Sequence, residues 1–229
     1  MSANLSIVIT NYNKTQQEIE ECLQSIKDQT VRPGEIIFVD DHSDISYVPE
    51  GVLYIRLPKN MGVAFARDVG VQISKSKLLL FVDADDKLGP DFIQQCGYYI
   101  LKHDIIYPNM LYFGEVERNK LYPAPEKITP EYLMGKSINI PVTSMMWKKV
   151  YEKNKGFREL PVFEDWDFWL RAMANGFTFQ KANTILWYRQ NAKSRNRISL
   201  EVRHDVHEEM TKSFKVQRGK LVWVQNVQK

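Results

Sequence analysis

The chain has 229 residues, of which 44% are hydrophobic and 12% aromatic. This length and composition allow a buried core and exclude a disordered or fibrous protein. A formal net charge of +3 is too small to indicate a nucleic-acid-binding protein, so no nucleic-acid partner is expected.

The cysteines and the apolar runs bear on the compartment. Cys22 and Cys96 are the only cysteines, and their spacing fits neither a disulfide framework nor a zinc site. We expect two buried free thiols in a reducing compartment. No apolar run approaches the ~20 residues of a membrane span, and the N-terminus lacks the basic and apolar pattern of a signal peptide. The sequence thus predicts a cytoplasmic protein without a transmembrane segment.

Strands and helices alternate over the first hundred residues, which is typical of a mostly parallel sheet with helices on both faces. In such sheets the ligand binds outside the carboxyl ends of the strands. Polar clusters at 10–13, 40–44 and 83–86 follow three of the strands, so we expect one crevice to collect them. The predicted elements are strands at 5–10, 35–40, about 53–57 and 78–83, a helix opened by a capping box at Thr15 and Glu18, a helix from about Val63 to Ser74, and a helix that begins at Pro90.

The second half is less regular. Residues 107–127 predict a meander with a proline-rich loop, and Thr129 and Pro130 begin a short helix. Residues 163–176 form a helix closed by a Gly, followed by two short strands at 177–182 and 184–189. A terminal helix is expected to pack on the body through four residues spaced every fourth position: Val202, Val206, Met210 and Phe214.

Three aspartates, Asp83, Asp85 and Asp86, follow the fourth strand. An EF-hand loop would need Gly and Glu where Leu88 and Gln94 stand, so that reading is excluded. A phosphatase nucleophile is expected after the first strand, not the fourth. An acidic turn and a Mg²⁺ or Mn²⁺ site completed by phosphate and water both remain open. Because the chain has no P-loop and no G-x-G-x-x-G, bound phosphates would need a metal to neutralise them.

Five segments, in order, resemble the successive signatures of family 2 glycosyltransferases with the GT-A fold: SIVITNYNK, IIFVDDHSD, NMGVAFARDVG, LLLFVDADD and FEDWDFWLRAMANG. The match covers about residues 5–190. It implies an α/β, Rossmann-like sheet and a nucleotide-sugar bound across the strand ends. It also implies one domain over 1–229, with a nucleotide-sugar half at 1–103, a smaller acceptor-side half at 104–190, and a basic C-terminal loop and helix at 191–229.

The resemblance assigns the first donor contacts to the ends of two strands. Thr10 and Tyr12 match the first nucleotide-contacting turn, with Asn13 beside them, and the phenol ring can stack on a base. Asp41, with Asp40 as its rival, matches the carboxylate that accepts a base N–H.

Further donor contacts follow from the next two motifs. Asn60, Gly62 and Arg67 match the loop and helix beside the diphosphate, where a guanidinium suits phosphate geometry.

Around Ala84, the resemblance makes the aspartates a D-x-D motif that holds Mn²⁺ or Mg²⁺ on the diphosphate. It assigns Asp85 as the direct ligand and places Asp83 nearer the ribose. Asp86 is the alternative to either Asp85 or Asp83 in these roles.

Glu164 and Asp165 are the candidate catalytic pair. Acids suit the first turn of a helix, but that reading does not account for the aromatic residues beside them. The resemblance makes Asp165 the general base at the acceptor and gives Glu164 a supporting role. A single displacement would invert the configuration at the sugar.

The chain departs from the family pattern at one place, just after Tyr188 and Arg189, which follow the last of the five motifs. A histidine is often found there, whereas this chain has Asn191. The basic residues Lys193, Arg195 and Arg197 either hold the diphosphate instead or are solvated. The chain also lacks the Q-x-x-R-W motif of processive synthases, which predicts transfer of one sugar at a time.

The sequence therefore predicts a metal-dependent, inverting glycosyltransferase that moves a hexosyl or deoxyhexosyl group from a nucleotide-sugar, expected to be UDP-linked. The acceptor is a hydroxyl of a glycan, a lipid-linked molecule or a protein. Two alternatives remain: a nucleotidyltransferase that makes nucleotide-sugars, although 10–17 lacks its glycine-rich loop, and a non-catalytic nucleotide- or sugar-binding module.

Overall fold

The computed structural model describes residues 4–116, 119–135, 137–190 and 199–224. The first part of the chain alternates strands and helices as predicted. Its elements are β1 Leu5–Asn11, α1 Gln16–Lys27, β2 Glu35–Asp40, β3 Leu53–Arg56, α2 Val63–Ile73, β4 Leu78–Asp83, β5 Lys87–Leu88 and α3 Phe92–Tyr99.

The second part adds strands to the same sheet and ends in a small hairpin. Its elements are β6 Ile105–Gly114, β7 Lys120–Tyr122, α4 Pro130–Leu133, β8 Met145–Trp147, α5 Lys148–Asn154, α6 Glu164–Ala174, β9 Phe179–Gln190, α7 Leu200–Lys212, β10 Phe214–Gln217 and β11 Lys220–Trp223.

One sheet runs through both parts, in the strand order β3-β2-β1-β4-β8-β6-β9-β5, with β7 paired to β6. Strands β1 to β4 are parallel. Strand β8 is antiparallel to both β4 and β6 and joins the two parts. The predicted α/β class and mostly parallel order of the first half are confirmed.

The core lies on both faces of the central strands, because alternate side chains of a strand point to opposite faces. Ile7 and Ile9 of β1 pack with Cys22 of α1 and Cys96 of α3. Val8 joins the opposite core, which contains the aromatic residues of α6. Both cysteines are free and buried, as expected from their apolar neighbours.

Helix α2 lies very close to β1, and a glycine makes this possible. A Cβ atom at Gly70 would stand 2.3 Å from Cγ1 of Val8, well inside van der Waals contact. Since Val8 is fully buried and cannot move away, only glycine allows this approach. The close contact sets the depth of α2, which carries Arg67.

Local signals predicted several helix ends correctly. Thr15 caps α1 in a capping box with Glu18. Thr129 caps α4, with Pro130 in the first turn. Helix α6 ends at Ala174, followed by Gly176 with φ 84°. Helix α3 differs from the prediction, because it begins at Phe92, two residues after the proline.

The two short strands expected at 177–182 and 184–189 are one strand, β9. It pairs with β6 along its length, with a register shift between Tyr107 and Asn109. Asn183, the expected break, lies at this irregularity, and so does Pro108, which cannot donate a ladder hydrogen bond. The sequence break was therefore a bulge, not a turn.

The terminal helix α7 packs less than predicted. Met210 is buried, but Val202 is 40% exposed. Phe214 is buried as part of β10, which forms an unpredicted hairpin with β11. Every helix in the described ranges is too short or too polar to cross a membrane.

Candidate active site

The carboxyl ends of the parallel strands bring the predicted polar clusters together. In the sheet register Thr10 of β1 lies beside Asp83 of β4, and Asn11 lies beside Asp40 of β2. The expectation that one edge collects these clusters is confirmed, because it follows from parallel pairing.

A chain of hydrogen bonds links this edge to the candidate base region. Thr10 Oγ1 donates to Asp83 Oδ1 at 3.2 Å. Arg67 Nη2 donates to the same oxygen at 3.2 Å, and Arg67 Nη1 donates to Glu164 Oε1 at 2.8 Å. Residues from β1, β4, α2 and α6 thus form one continuous polar network.

Arg67 holds this network together and differs from its expected setting. It is 2% exposed, and its guanidinium stacks 5.2 Å from the Phe157 ring. Burial works to lower its pKa, but the carboxylates of Asp83 and Glu164 outweigh that effect and raise it. Because both Nη atoms bind carboxylates, Arg67 bridges the two acids here rather than standing open to a diphosphate.

Asp85 forms an ion pair with a lysine of the protein itself, Lys14. Lys14, in the turn between β1 and α1, places Nζ 2.5 Å from Asp85 Oδ2. Burial raises the pKa of Asp85 and the Lys14 charge opposes that rise. Burial also works to lower the pKa of Lys14, but Asp85 outweighs it and the pKa is raised.

Asp86 turns away from solvent and anchors the end of β9. It is 2% exposed, and its Oδ1 accepts from the Arg189 backbone N–H at 2.8 Å. The Arg189 side chain donates to the Asp85 carbonyl at 3.0 Å. Burial and the neighbouring Asp85 carboxylate raise the pKa of Asp86 well above its ordinary value.

Asp40 and Asp41 organise loops around the donor edge. Asp40 is 1% exposed and binds Arg56 Nη1 at 2.5 Å and Ser43 Oγ at 2.5 Å. Asp41 accepts from the backbone N–H groups of Met61 at 2.6 Å and Gly62 at 2.9 Å. Asp41 thereby fixes the loop before α2 with both of its oxygens.

The remaining predicted donor residues surround these carboxylates. Tyr12 is 44% exposed, as a ring that stacks on a base would need to be. Asn13 is exposed and pairs with Asp44, and its backbone N–H binds Ser43. Asn60 is exposed in the loop before α2.

Two small residues shape the same edge. Gly62 precedes α2 with φ 89°, a conformation that favours glycine, and open space surrounds the position of its missing Cβ. Ala84 is fully buried between the aspartates of the D-x-D motif.

The candidate catalytic pair, Glu164 and Asp165, lies at the start of helix α6. Phe163 before it has φ 68°, a strained conformation for a bulky side chain. Asp165 Oδ1 accepts its neighbour's backbone N–H, that of Trp166, at 2.7 Å. Burial, and then the Glu164 charge, raise the pKa of Asp165 to about 7. A carboxylate with this pKa is suited to accept a proton near neutral pH.

A cavity of about 760 Å³ opens beside this pair. Its acidic lining includes Asp83, Asp86, Glu164 and Asp165. Its wall includes Trp166, whose indole is buried against His207 of α7 at a ring distance of 4.8 Å. The cavity therefore connects Asp83 with the candidate base, Asp165.

The oxygen donors present fit a hard divalent cation. Asp83 makes its contacts with Thr10 and Arg67 through Oδ1, and its side chain is 32% exposed, so Oδ2 remains accessible. Mg²⁺ and Mn²⁺ need only one or two protein carboxylates when phosphate and water complete the shell. Within the described ranges, no group of three or more His, Cys, Asp or Glu side chains is arranged to hold a metal alone. A metal here would therefore depend on the donor's phosphates.

The sequence did not predict two cationic residues that contact the aspartate turn, Lys14 and Arg189. Lys14 lies in the turn between β1 and α1 and is the partner of Asp85, a pairing that no local pattern in the sequence predicts. Arg189, in the expected Tyr-Arg pair, holds β9 to the aspartate turn. The positions proposed as substitutes for the family histidine lie outside the described residues: Asn191, Lys193, Arg195 and Arg197.

Sequence comparisons agree with this geometry. The family model described as "Glycosyl transferase family 2" matches residues 6–154. An uncharacterized glycosyltransferase of Bacillus subtilis, YwdF, is 32% identical over 182 residues, covering 73% of this chain and 67% of the relative. An uncharacterized glycosyltransferase of Haemophilus influenzae is 30% identical, covering 80% and 67%. The chain thus spans about two thirds of the length of these relatives.

Solved structures show the same fold at lower identity. The S. aureus TarS 1–349 structure in complex with UDP-GlcNAc is 20% identical, with a TM-score of 0.71 over 92% of this chain and 65% of that one. The complex of the same protein with UDP gives a TM-score of 0.67. This likeness confirms the predicted GT-A type of α/β fold. With the family model matching more than half of its length, the chain belongs to glycosyl transferase family 2 and is a glycosyltransferase.

Proposed function

We propose that the protein transfers one sugar from a UDP-linked donor to an acceptor hydroxyl, with inversion of configuration. The family match and the likeness to the TarS structures in complex with UDP and UDP-GlcNAc support the donor class. The continuous network from Asp83 through Arg67 to Glu164 is the observation that carries the proposal, because it couples the donor edge to the residue next to the proposed base, Asp165.

The donor is proposed to lie across the strand ends. The exposed Tyr12 ring stacks on the base, and Asp41 accepts the base N–H while it holds the Met61–Gly62 loop. Asp83 and Asp85 would hold Mn²⁺ or Mg²⁺. Such an ion neutralises charge that grows on the diphosphate as it leaves.

The acceptor is proposed to enter the cavity beside α6. Its hydroxyl meets Asp165, which removes the proton as the oxygen attacks the anomeric carbon from the face opposite the diphosphate. Arg67 holds Glu164 in place through an ion pair at 2.8 Å, and the Glu164 charge contributes to the raised pKa of Asp165. The acceptor is a glycan, a lipid-linked molecule or a protein.

One experiment distinguishes the proposed glycosyltransferase from a non-catalytic binding module. The protein is incubated with Mn²⁺ and a panel of nucleotide-sugars, and free nucleoside diphosphate is measured over time. A glycosyltransferase releases UDP slowly from its own donor by hydrolysis. A binding module retains the donor intact, which would contradict the proposal.

A nucleotidyltransferase is tested in parallel with a nucleoside triphosphate and a sugar 1-phosphate. Release of pyrophosphate from this mixture, without hydrolysis of any nucleotide-sugar, would replace the proposed reaction. Asp165→Asn is the matched variant, because only the transferase requires this base.

A further inference from the structure

Lys14 provides the aspartate cluster with a cation that belongs to the chain. Its ammonium lies 2.5 Å from Asp85 Oδ2. The side chains are only 28% and 10% exposed, so this is a part-buried ion pair rather than a surface contact. The oxygen that Lys14 occupies belongs to the carboxylate proposed to bind the metal directly.

The position of Lys14 is fixed by the surrounding structure. Its backbone N–H donates to Asn11 Oδ1 at 3.3 Å, and the Asn11 amide donates to Asp40 and Ser43 at 3.3 Å and 3.1 Å. The next residue, Thr15, caps helix α1. The ammonium therefore lies at Asp85 because the turn delivers it there.

A divalent cation and the ammonium compete for the same carboxylate, that of Asp85. If a metal entered alone, it would break a part-buried ion pair and leave the ammonium without its partner, which is costly in such surroundings. A nucleoside diphosphate removes this obstacle, because its oxygens coordinate the metal and its negative charge accepts the displaced ammonium.

We propose that Lys14 occupies Asp85 until the donor binds, so that the divalent cation binds tightly only together with the nucleoside diphosphate. This inference rests on the proposed metal role of the D-x-D motif. It makes Lys14 a positioning residue that sets the order of binding and prevents the free protein from taking up metal. By linkage, the metal and the nucleotide strengthen each other's binding by the same factor.

Binding of Mn²⁺ to the full chain tests the proposal without any activity measurement. Free and bound Mn²⁺ are distinguished by electron paramagnetic resonance, with and without UDP, and corrected for the Mn²⁺–UDP complex in buffer. For the parent protein we expect UDP to tighten Mn²⁺ binding at least tenfold. In Lys14→Met, Mn²⁺ alone binds at least tenfold more tightly than to the parent, and the effect of UDP shrinks accordingly.

The matched control is Lys87→Met. Lys87 is similarly exposed, at 30%, and pairs with Glu21 at 3.4 Å rather than with the D-x-D motif. We expect this variant to bind Mn²⁺ like the parent. Lys14→Arg retains the positive charge and is expected to keep most of the coupling. Lys14→Gln removes the charge but keeps a donor to Asp85, and it replaces Lys14→Met if thermal melting shows that the latter does not fold.

The outcomes separate this inference from the proposed function. Equal Mn²⁺ affinity in the parent, Lys14→Met and Lys14→Gln without UDP would overturn the role of Lys14 and leave the metal role intact. No Mn²⁺ binding to the parent even with UDP would overturn both. Tighter Mn²⁺ binding in Lys14→Met that disappears in Lys14→Met/Asp85→Asn would support the competition at Asp85.

Discussion

At the scale of single residues, the acid at the start of α6 shows how surroundings suit a carboxyl group to its chemistry. Asp165 is half-buried, next to Glu164, and lines the cavity. Replacing it by Asn keeps the shape and removes the base. Since general-base catalysis contributes about 10²–10⁴ in rate, Asp165→Asn should lower transfer at least a hundredfold.

The same variant should bind the nucleotide normally, because the base contacts the acceptor. Calorimetric titration with UDP provides the check. A large loss of UDP affinity in Asp165→Asn would indicate that Asp165 maintains the structure of the donor site instead.

The raised pKa of Asp165 predicts how activity depends on pH. Below about 7 the folded protein holds Asp165 protonated, and a protonated carboxyl cannot accept the hydroxyl proton. Therefore kcat/KM should rise about tenfold per pH unit below 7 and level off above it. Transfer by the parent is measured between pH 5 and 8.5, with donor binding followed in the same buffers. A profile that is flat down to pH 5 would contradict the assignment.

Asp41 has two candidate roles: it recognises the base of the nucleotide, or it only supports the loop before α2. Uracil presents an N3–H to a carboxylate, whereas cytosine presents an acceptor and leaves the carboxylate unpaired. An unpaired buried group costs about 1–3 kcal/mol, so UDP and dTDP should bind at least tenfold more tightly than CDP. In Asp41→Asn this preference should shrink, because an amide can both donate and accept.

Competition titrations with UDP, dTDP and CDP on both proteins measure this preference. If Asp41 only supports the loop through Met61 and Gly62, the variant should weaken all three nucleotides equally. An unchanged ratio of UDP to CDP affinity in Asp41→Asn would therefore show that Asp41 does not recognise the base.

At the scale of the elements, helix α6 is held in place by a buried ion pair whose residues do not line the cavity. Arg171 Nε donates to Asp167 Oδ2 at 2.7 Å, and Arg171 Nη1 donates to the carbonyls of Asn154 and Gly156 at 2.5 Å and 2.9 Å. Asp167 is fully buried and Arg171 is 4% exposed. These contacts join α6 to the end of α5 and so fix the helix that presents Asp165.

Removing one partner of this pair should be costly. Arg171→Met leaves a buried carboxylate that, among the residues described by the structure, has only Arg158, at 3.3 Å, as a charged partner. Loss of one partner of a buried pair costs about 3–5 kcal/mol, and we expect a decrease of this size in the free energy of unfolding. The control Lys212→Met breaks an exposed pair with Glu208 and should cost at most about 1 kcal/mol. Urea denaturation followed by circular dichroism measures both; equal effects would show that the buried pair does not anchor α6.

At the scale of the whole molecule, the shared sheet makes the donor and acceptor sides one folding unit. Leu79 of β4 lies beside Met146 of β8, which in turn lies beside Ile105 of β6. Because β8 is hydrogen-bonded to both sides, neither side keeps its sheet when the other unfolds.

We therefore expect one cooperative unfolding transition. Differential scanning calorimetry of the parent should give equal calorimetric and van't Hoff enthalpies, as two-state unfolding requires. Two separated transitions would show that the halves at 1–103 and 104–190 are independent domains.

The sequence by itself determined the features that depend on neighbouring residues. The alternation of apolar strands and amphipathic helices predicted the parallel sheet, and Thr15 and Thr129 marked helix starts. These signals are local, since a cap or a hydrophobic period is complete within a few residues. The order of the five motifs was sufficient to predict the family. Because parallel strands end at one edge, the sequence was also sufficient to predict that the polar clusters at 10–13 and 83–86 share one edge, where the structure pairs Thr10 with Asp83.

Only the tertiary structure decided which charged groups meet. Lys14 reaches Asp85 across 71 positions of the chain, and Arg67 reaches Glu164 across 97. No local pattern specifies such pairs, because they depend on how deeply α2 lies on the sheet and on where α6 begins. The continuity of β9 was decided in the same way, since pairing with β6 carries the strand through the irregularity at Asn183. Side chains that are distant in sequence gain their partners only when the sheet order brings their backbones together.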